Sequence, residues 1–286
     1  MKRRRQAPQA RGPKPKPTLL YAWAVPVETL PFVDHTWVTS YDNRITQYHD
    51  IQQVVAAGEL YWYCWGSFHA WGGTPNEPTG FLGQQTGDLA VAQCLVQANA
   101  DSSTVAAARG TIFTYGVDGV CHQLANQVLY STKAGSTAPL TVRKARGYIA
   151  SVFIYGTYGH QHAAWSHQIA KCGGQPLQPP QGPQMAAAHG APVPGPADDF
   201  EAHAREVLKN DDPKLLGDLL ALRAEVSRFA AQRWPGAAPG AELLNARNRH
   251  LLDQAAKLLG PQRFEAVFGF RPDLKIDLVD PTVKQR

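Results

Sequence analysis

The stretch Gly116-Val117-Asp118-Gly119-Val120-Cys121-His122-Gln123-Leu124-Ala125-Asn126-Gln127-Val128-Leu129 combines a tight glycine turn with a cysteine at a predicted helix start. Thr111–Tyr115 before it is rich in strand formers, and Gly116 and Gly119 let the chain turn sharply. Asp118 is the expected N-cap, which puts Cys121 in the first helical turn. There the unbonded N–H groups and the positive helix end favour a thiolate, the nucleophile of cysteine hydrolases, and could hold a developing oxyanion. The same residues also fit plain packing. Cys121, Leu124, Ala125, Val128 and Leu129 share one helical face, so the cysteine also reads as a small core residue. A partner imidazole separates the two readings.

His35 is the candidate. It sits within Phe32–Tyr41, a β-branched and aromatic run bounded by Pro31 and Asp42, and alternation places it on one face with Val33 and Trp37. A histidine there is either a hydrogen-bonded core residue or part of a site. A second cluster is His160, His162 and His167, with Cys172 five residues further on. His-x-His suits zinc or copper, but the spacing matches no metal motif and no acidic ligand lies nearby, so a loop bordering a cleft or a surface helix start is the expectation. The glycine-rich pieces form neither a phosphate loop nor a dinucleotide fingerprint, and there is no serine elbow or His-Glu-x-x-His.

Around these residues the chain divides by composition. Residues 1–17 carry seven basic groups and no acid, and read as a disordered basic tail. Without those seven, the 28 Lys and Arg fall to 21 against 23 Asp and Glu, so the net charge of +5 is confined to the tail and nucleic acid is not an expected partner. Residues 18–172 read as an α+β domain. Its strands are Phe32–Tyr41, Leu60–His69, Thr111–Tyr115 and Gly147–Tyr158, and its helices are Asp88–Asn99 and the cysteine helix. Residues 173–197, with seven prolines and no charge, are a linker. Residues 198–286 read as helices over Asp198–Lys209, Pro213–Trp234, Ala241–Leu259 and Pro261–Phe268, a hairpin or bundle suited to docking a protein partner or capping the domain.

Four cysteines (Cys64, Cys94, Cys121, Cys172) form no CxxC pair and read as mostly reduced thiols, which suits a cytoplasmic location. No apolar run reaches the ~18 residues of a membrane span. The basic start leads into Gln, Pro and Lys rather than an apolar segment, so a secretory signal is not expected and export by a signal-independent route stays open.

On Asp34-His35-Thr36-Trp37-Val38, and on Tyr115 followed after five residues by Cys121-His122-Gln123-Leu124-Ala125-Asn126, the chain resembles the circularly permuted branch of the papain-like cysteine peptidases and amidases. These are relatives of the NlpC-like and lecithin–retinol acyltransferase-like families, in which a histidine strand precedes the cysteine helix. The resemblance spans residues 30–160, and Val120 departs from it where many members carry asparagine or serine. It implies a permuted papain-like domain with an antiparallel sheet and packed helices. In such a domain Cys121 attacks an acyl carbonyl and His35 serves as general base and then acid. A third polar residue orients the imidazole, His69 first and Glu59 or Asn126 as alternatives. Trp62, Tyr63, Trp65 and Trp71 would wall the groove or fill the core. The implied substrate is a peptide, peptidoglycan or acylated compound, with hydrolysis or acyl transfer as the outcome and no cofactor. A non-enzymatic scaffold, and a metal-dependent enzyme using His160, His162 and His167, are the readings from other classes.

Overall fold

An apolar run from Leu19 to Val25 and the histidine-bearing stretch after it form a hairpin at the centre of the molecule. The computed structural model describes residues 17–39, 61–63, 80–88, 90–91, 115–135, 138–160, 169–175, 198–232 and 239–281. Strands β1 (Pro17–Val27), β2 (Leu30–Thr39), β3 (Tyr61–Tyr63) and β4 (Gly80–Asp88) make one antiparallel sheet in the order β3-β2-β1-β4. Leu20 to Val25 are all buried, so central strand β1 is covered on both faces and shows a continuous apolar run instead of alternation. The hairpin is irregular. Pro26 pairs with Asp34 but Val27 pairs with Leu30, so residues 31–33 bulge out of the ladder.

Five helices follow among the described residues: α1 (Cys121–Thr132), α2 (Tyr148–Tyr155), α3 (Asp199–Val207), α4 (Pro213–Ala230) and α5 (Ala241–Phe268). The α+β class stands. The sheet, however, includes β1 and β4, which sequence patterning missed. β4 reads GFLGQQTGD, and its three glycines dilute any strand signal. The helix expected from Asp88 begins two residues later, with the Asp88 carboxylate accepting from the amides of Ala90 and Val91; the rest of that segment, most of Leu60–His69 and Thr111–Thr114 lie outside the described residues.

One expectation is overturned. Gly147–Tyr158 was expected as a strand and is helix α2, bounded by Gly147 at φ 75° and Gly156 at φ 78°. Seven of its eight residues are buried, so it is apolar all round, and periodicity cannot separate a buried helix from a buried strand. The C-terminal helices form much as expected, and the two predicted over residues 241–268 are continuous except for a break at Gly260, φ 71°. They pack against α2. Phe153 of α2 packs on Phe200 of α3 (5.1 Å) and on Phe268 of α5 (5.4 Å), within a core that also includes Trp23, Trp37 and Leu124.

Helix α1 lies at the middle of this arrangement with eleven of its twelve residues buried, polar ones included. Burial of so many polar groups is tolerable only if they are hydrogen-bonded. The Asn126 amide donates to Tyr148 Oη and to the Thr157 carbonyl, both at 2.8 Å, and its oxygen accepts from the Val142 amide at 2.9 Å. Gln127 donates to the Tyr158 carbonyl at 2.8 Å. Asn126 thus ties α1 to α2 and to both flanking loops. We predict that Asn126→Ala, which leaves the buried Val142 amide and Thr157 carbonyl unpaired, lowers stability by about 3 kcal/mol in denaturant unfolding, whereas an effect below ~1 kcal/mol would contradict this role.

Candidate functional site

Among the described residues β3 pairs with β2 over Trp37–Thr39, and the edge of β2 at Asp34 meets groups from other elements. That edge is captured. The Asp34 amide donates to the Arg146 carbonyl at 3.1 Å, and the Asp34 carboxylate accepts from the Arg146 amide (2.9 Å) and Nε (2.7 Å). The Asp34 carbonyl receives two groups from the start of α1: His122 Nε2 at 2.9 Å and Cys121 Sγ at 3.8 Å. The cysteine helix is therefore docked end-on against the two residues that flank His35.

Cys121 is the first residue of α1, as expected, but the cap differs. Val120 is the N-cap with an extended backbone, its amide accepted by Gln123 Oε1 at 3.1 Å, and Asp118 is buried in the turn before it. A valine side chain cannot accept from the first-turn amides, so of a capping box only the half in which Gln123 accepts from the N-cap amide is present. Burial pushes the Cys121 thiol up to about 11; the Thr36 amide, the Thr36 hydroxyl and the His122 amide favour the charged sulfur, and the Asp280 carboxylate opposes it. The thiol is 6% exposed. In this state it is protonated, so the expectation of a thiolate raised by the helix end alone is corrected: desolvation outweighs the first-turn amides.

His35 is buried and its ring stacks on Trp37 at 5.8 Å, on one face as alternation requires. The strand and the helix start come together, while the thiol's own hydrogen bond goes to the Asp34 carbonyl. His69 and Glu59 lie outside the described residues. Asn126 is committed to Tyr148, Thr157 and Val142. His162 and His167 also lie outside the described residues; the His160 amide donates to the Asp118 carbonyl at 2.6 Å and its ring meets Tyr155 edge-on at 5.7 Å. Among the described residues no three His, Cys, Asp or Glu side chains gather as metal ligands. Cys172 is disulfide-bonded, which corrects the expectation of reduced thiols at that position; its partner is not among the described residues. Trp65 and Trp71 are likewise outside them, and only the backbone of Trp62 and Tyr63 is placed, in β3. Among the described residues no helix is long and apolar enough to cross a membrane.

Comparison with protein-family models, curated proteins and solved structures finds no match.

The residue that sequence reasoning passed over is His122. Burial drives its ring down to about 4, against a smaller upward pull from the Asp34 carbonyl and carboxylate. The ring is therefore neutral near pH 7. Because Nε2 faces a carbonyl, it carries the proton of the neutral ring; Nδ1 is then an acceptor 3.0 Å from Ser151 Oγ, whose single proton is shared between Nδ1 and the Tyr148 carbonyl at 2.8 Å. Ser151 is steadied by Gln123 Nε2 at 3.1 Å, which also reaches the Gly156 carbonyl. With its proton already on the side facing Asp34, His122 cannot take a proton from Cys121 there. It positions the strand edge and is not a base toward the thiol.

The turn before Cys121 is held by the C-terminal helices. Gly116 has φ 77° and no room for a side chain, since a Cβ would meet Leu244 Cδ1 at 2.8 Å and Val279 Cγ1 at 2.9 Å. Its carbonyl accepts from Tyr155 Oη (2.8 Å) and Arg247 Nη2 (3.3 Å). Arg247 is buried, and its other contacts are to Asn248, Tyr155 and the Ala230 carbonyl. The segment after α5 adds a strap: the Asp280 amide donates to Tyr115 Oη at 3.1 Å, and its carboxylate accepts from Thr29 at 3.1 Å.

The His122 assignment has a spectroscopic consequence. In ring ¹⁵N–¹H spectra His122 should appear as the Nε2–H tautomer and stay neutral until the pH approaches 4. The folded pKa lies below the ordinary 6.5, so the unfolded chain binds one more proton between these values. Stability from this group is complete above pH 6.5 and is lost as the pH falls toward 4, by about 3 kcal/mol in total. A ring that titrates near 6.5 would contradict the assignment.

Proposed function

We propose that this chain is a thiol-dependent hydrolase of the permuted papain-like type, with Cys121 as nucleophile and His35 as the imidazole that relays its proton. The observation that carries the reading is the docking of the Cys121 helix start on the strand residues either side of His35, with Sγ 3.8 Å from the Asp34 carbonyl. A second feature supports it. The Thr36 amide and hydroxyl lie beside the sulfur and favour its charged form, as donors placed for a thiolate would.

The chemistry follows from the thiol's ionisation. With a pKa near 11, about one sulfur in 10⁴ is ionised at pH 7. Attack therefore requires proton removal in the same step. The Sγ–carbon bond forms as the thiol proton passes to His35. The carbon–nitrogen bond of the amide then breaks as that proton passes to the leaving nitrogen. Water cleaves the thioester and restores the thiol. Cys121 N–H, at the first helical position, has no intrahelical acceptor and suits the oxyanion. A peptide or peptidoglycan amide is the substrate class in this reading.

A second reading, a scaffold in which Cys121 is simply packed, is favoured by the 6% exposure of the thiol. A thiol-directed electrophile separates the two. Under the hydrolase reading, peptide mapping finds Cys121 modified at neutral pH. Modification is absent in Cys121→Ala and slowed about 100-fold or more in His35→Gln. A Cys121 that stays unmodified in the folded protein, or that reacts equally fast without His35, supports the scaffold.

A further inference from the structure

Phe32 is the one non-glycine residue at positive φ among the described residues, at 69°. A bulky side chain in that region is strained, and such strain persists only where something else requires it. Its exposure argues against packing as the reason. Phe32 is 49% exposed and makes no aromatic ring contact among the described residues. Its neighbours explain its position instead. It sits at the middle of the 31–33 bulge of β2. The bulge sends Val33 inward against Gly147 and turns the Asp34 amide to Arg146 and the Asp34 carbonyl to Cys121 and His122. The backbone distortion that presents the strand edge to the thiol thus also projects an aromatic ring into solvent, two residues from the carbonyl the thiol touches. Asparagine or glycine would adopt this backbone with less strain; the chain carries phenylalanine.

We infer that Phe32 contacts the substrate, receiving an aromatic or apolar group next to the scissile amide. This rests on the reading of Cys121 as nucleophile. The ring supplies apolar area at the edge of the site, so it discriminates between substrates and takes no part in proton transfer.

The test uses two chloroacetamides with one warhead, one carrying a benzyl group and one a hydroxyethyl group. Rates of Cys121 modification are compared in the full-length wild type, Phe32→Gly and Phe32→Asn. The wild type should prefer the benzyl probe, and in both variants the ratio of benzyl to hydroxyethyl rates should fall by about threefold or more. Melting temperatures of both variants should equal or exceed the wild type, because the strain is relieved. A preference retained in the variants removes this inference and leaves the hydrolase reading intact. A marked fall in melting temperature, or failure to fold, also removes it, since Phe32 would then serve the fold. A wild type whose Cys121 takes neither probe ends the hydrolase reading and this inference together.

Discussion

The edge of β2 at Asp34–Thr36 is the constraint on which the rest depends. A strand edge inside a protein must have its amides and carbonyls satisfied, and among the described residues β3 pairs with β2 over Trp37–Thr39. The fold answers with Arg146 and with the first two residues of α1. Satisfying a hydrogen-bonding requirement is thus also what brings a cysteine to a histidine strand from 87 residues away. The bulge at residues 31–33 is part of the same solution, because it sets the twist with which Asp34 meets its partners.

Holding a helix start against a strand edge needs support behind the helix, and α1 provides it through buried polar side chains as well as the apolar stripe of Leu124, Ala125, Val128 and Leu129. Asn126, Gln123 and Gln127 bind loop and helix carbonyls of residues 156–158, so α1 cannot rotate or slide without breaking several buried hydrogen bonds together. The turn in front of it is fixed from the other side by Tyr155, Arg247 and the strap ending at Asp280. A buried guanidinium held by carbonyls, an amide and a phenol is strongly directional, so the C-terminal helices act as a part of the site's frame.

Much of this was legible from residue types. The glycine turn, the helix opening on Cys121 and the strand carrying His35 follow from local rules, and so do the C-terminal helices. Other features were not legible, for identifiable reasons. Strand and helix look alike when every residue is buried, which misassigned α2. β1 has no alternation for the same reason. His122 follows Cys121 in sequence and points elsewhere around the helix, so no spacing rule links it to Asp34 or Ser151. Its role, like that of Arg247, is defined by residues distant in the chain. The ionisation of Cys121 was misjudged because the local rule counts helix amides and cannot count burial.

Proton–proton distances between β2 and α1 test the docking itself, independently of any activity. Nuclear Overhauser cross-peaks should join the Thr36 amide to the Cys121 β protons, and the His122 ring to the Ser151 side chain, in the folded full-length protein. A Thr36 amide that shows contacts to another strand and none to Cys121 would mean that the edge is closed in some other way, and the site built on it would not exist.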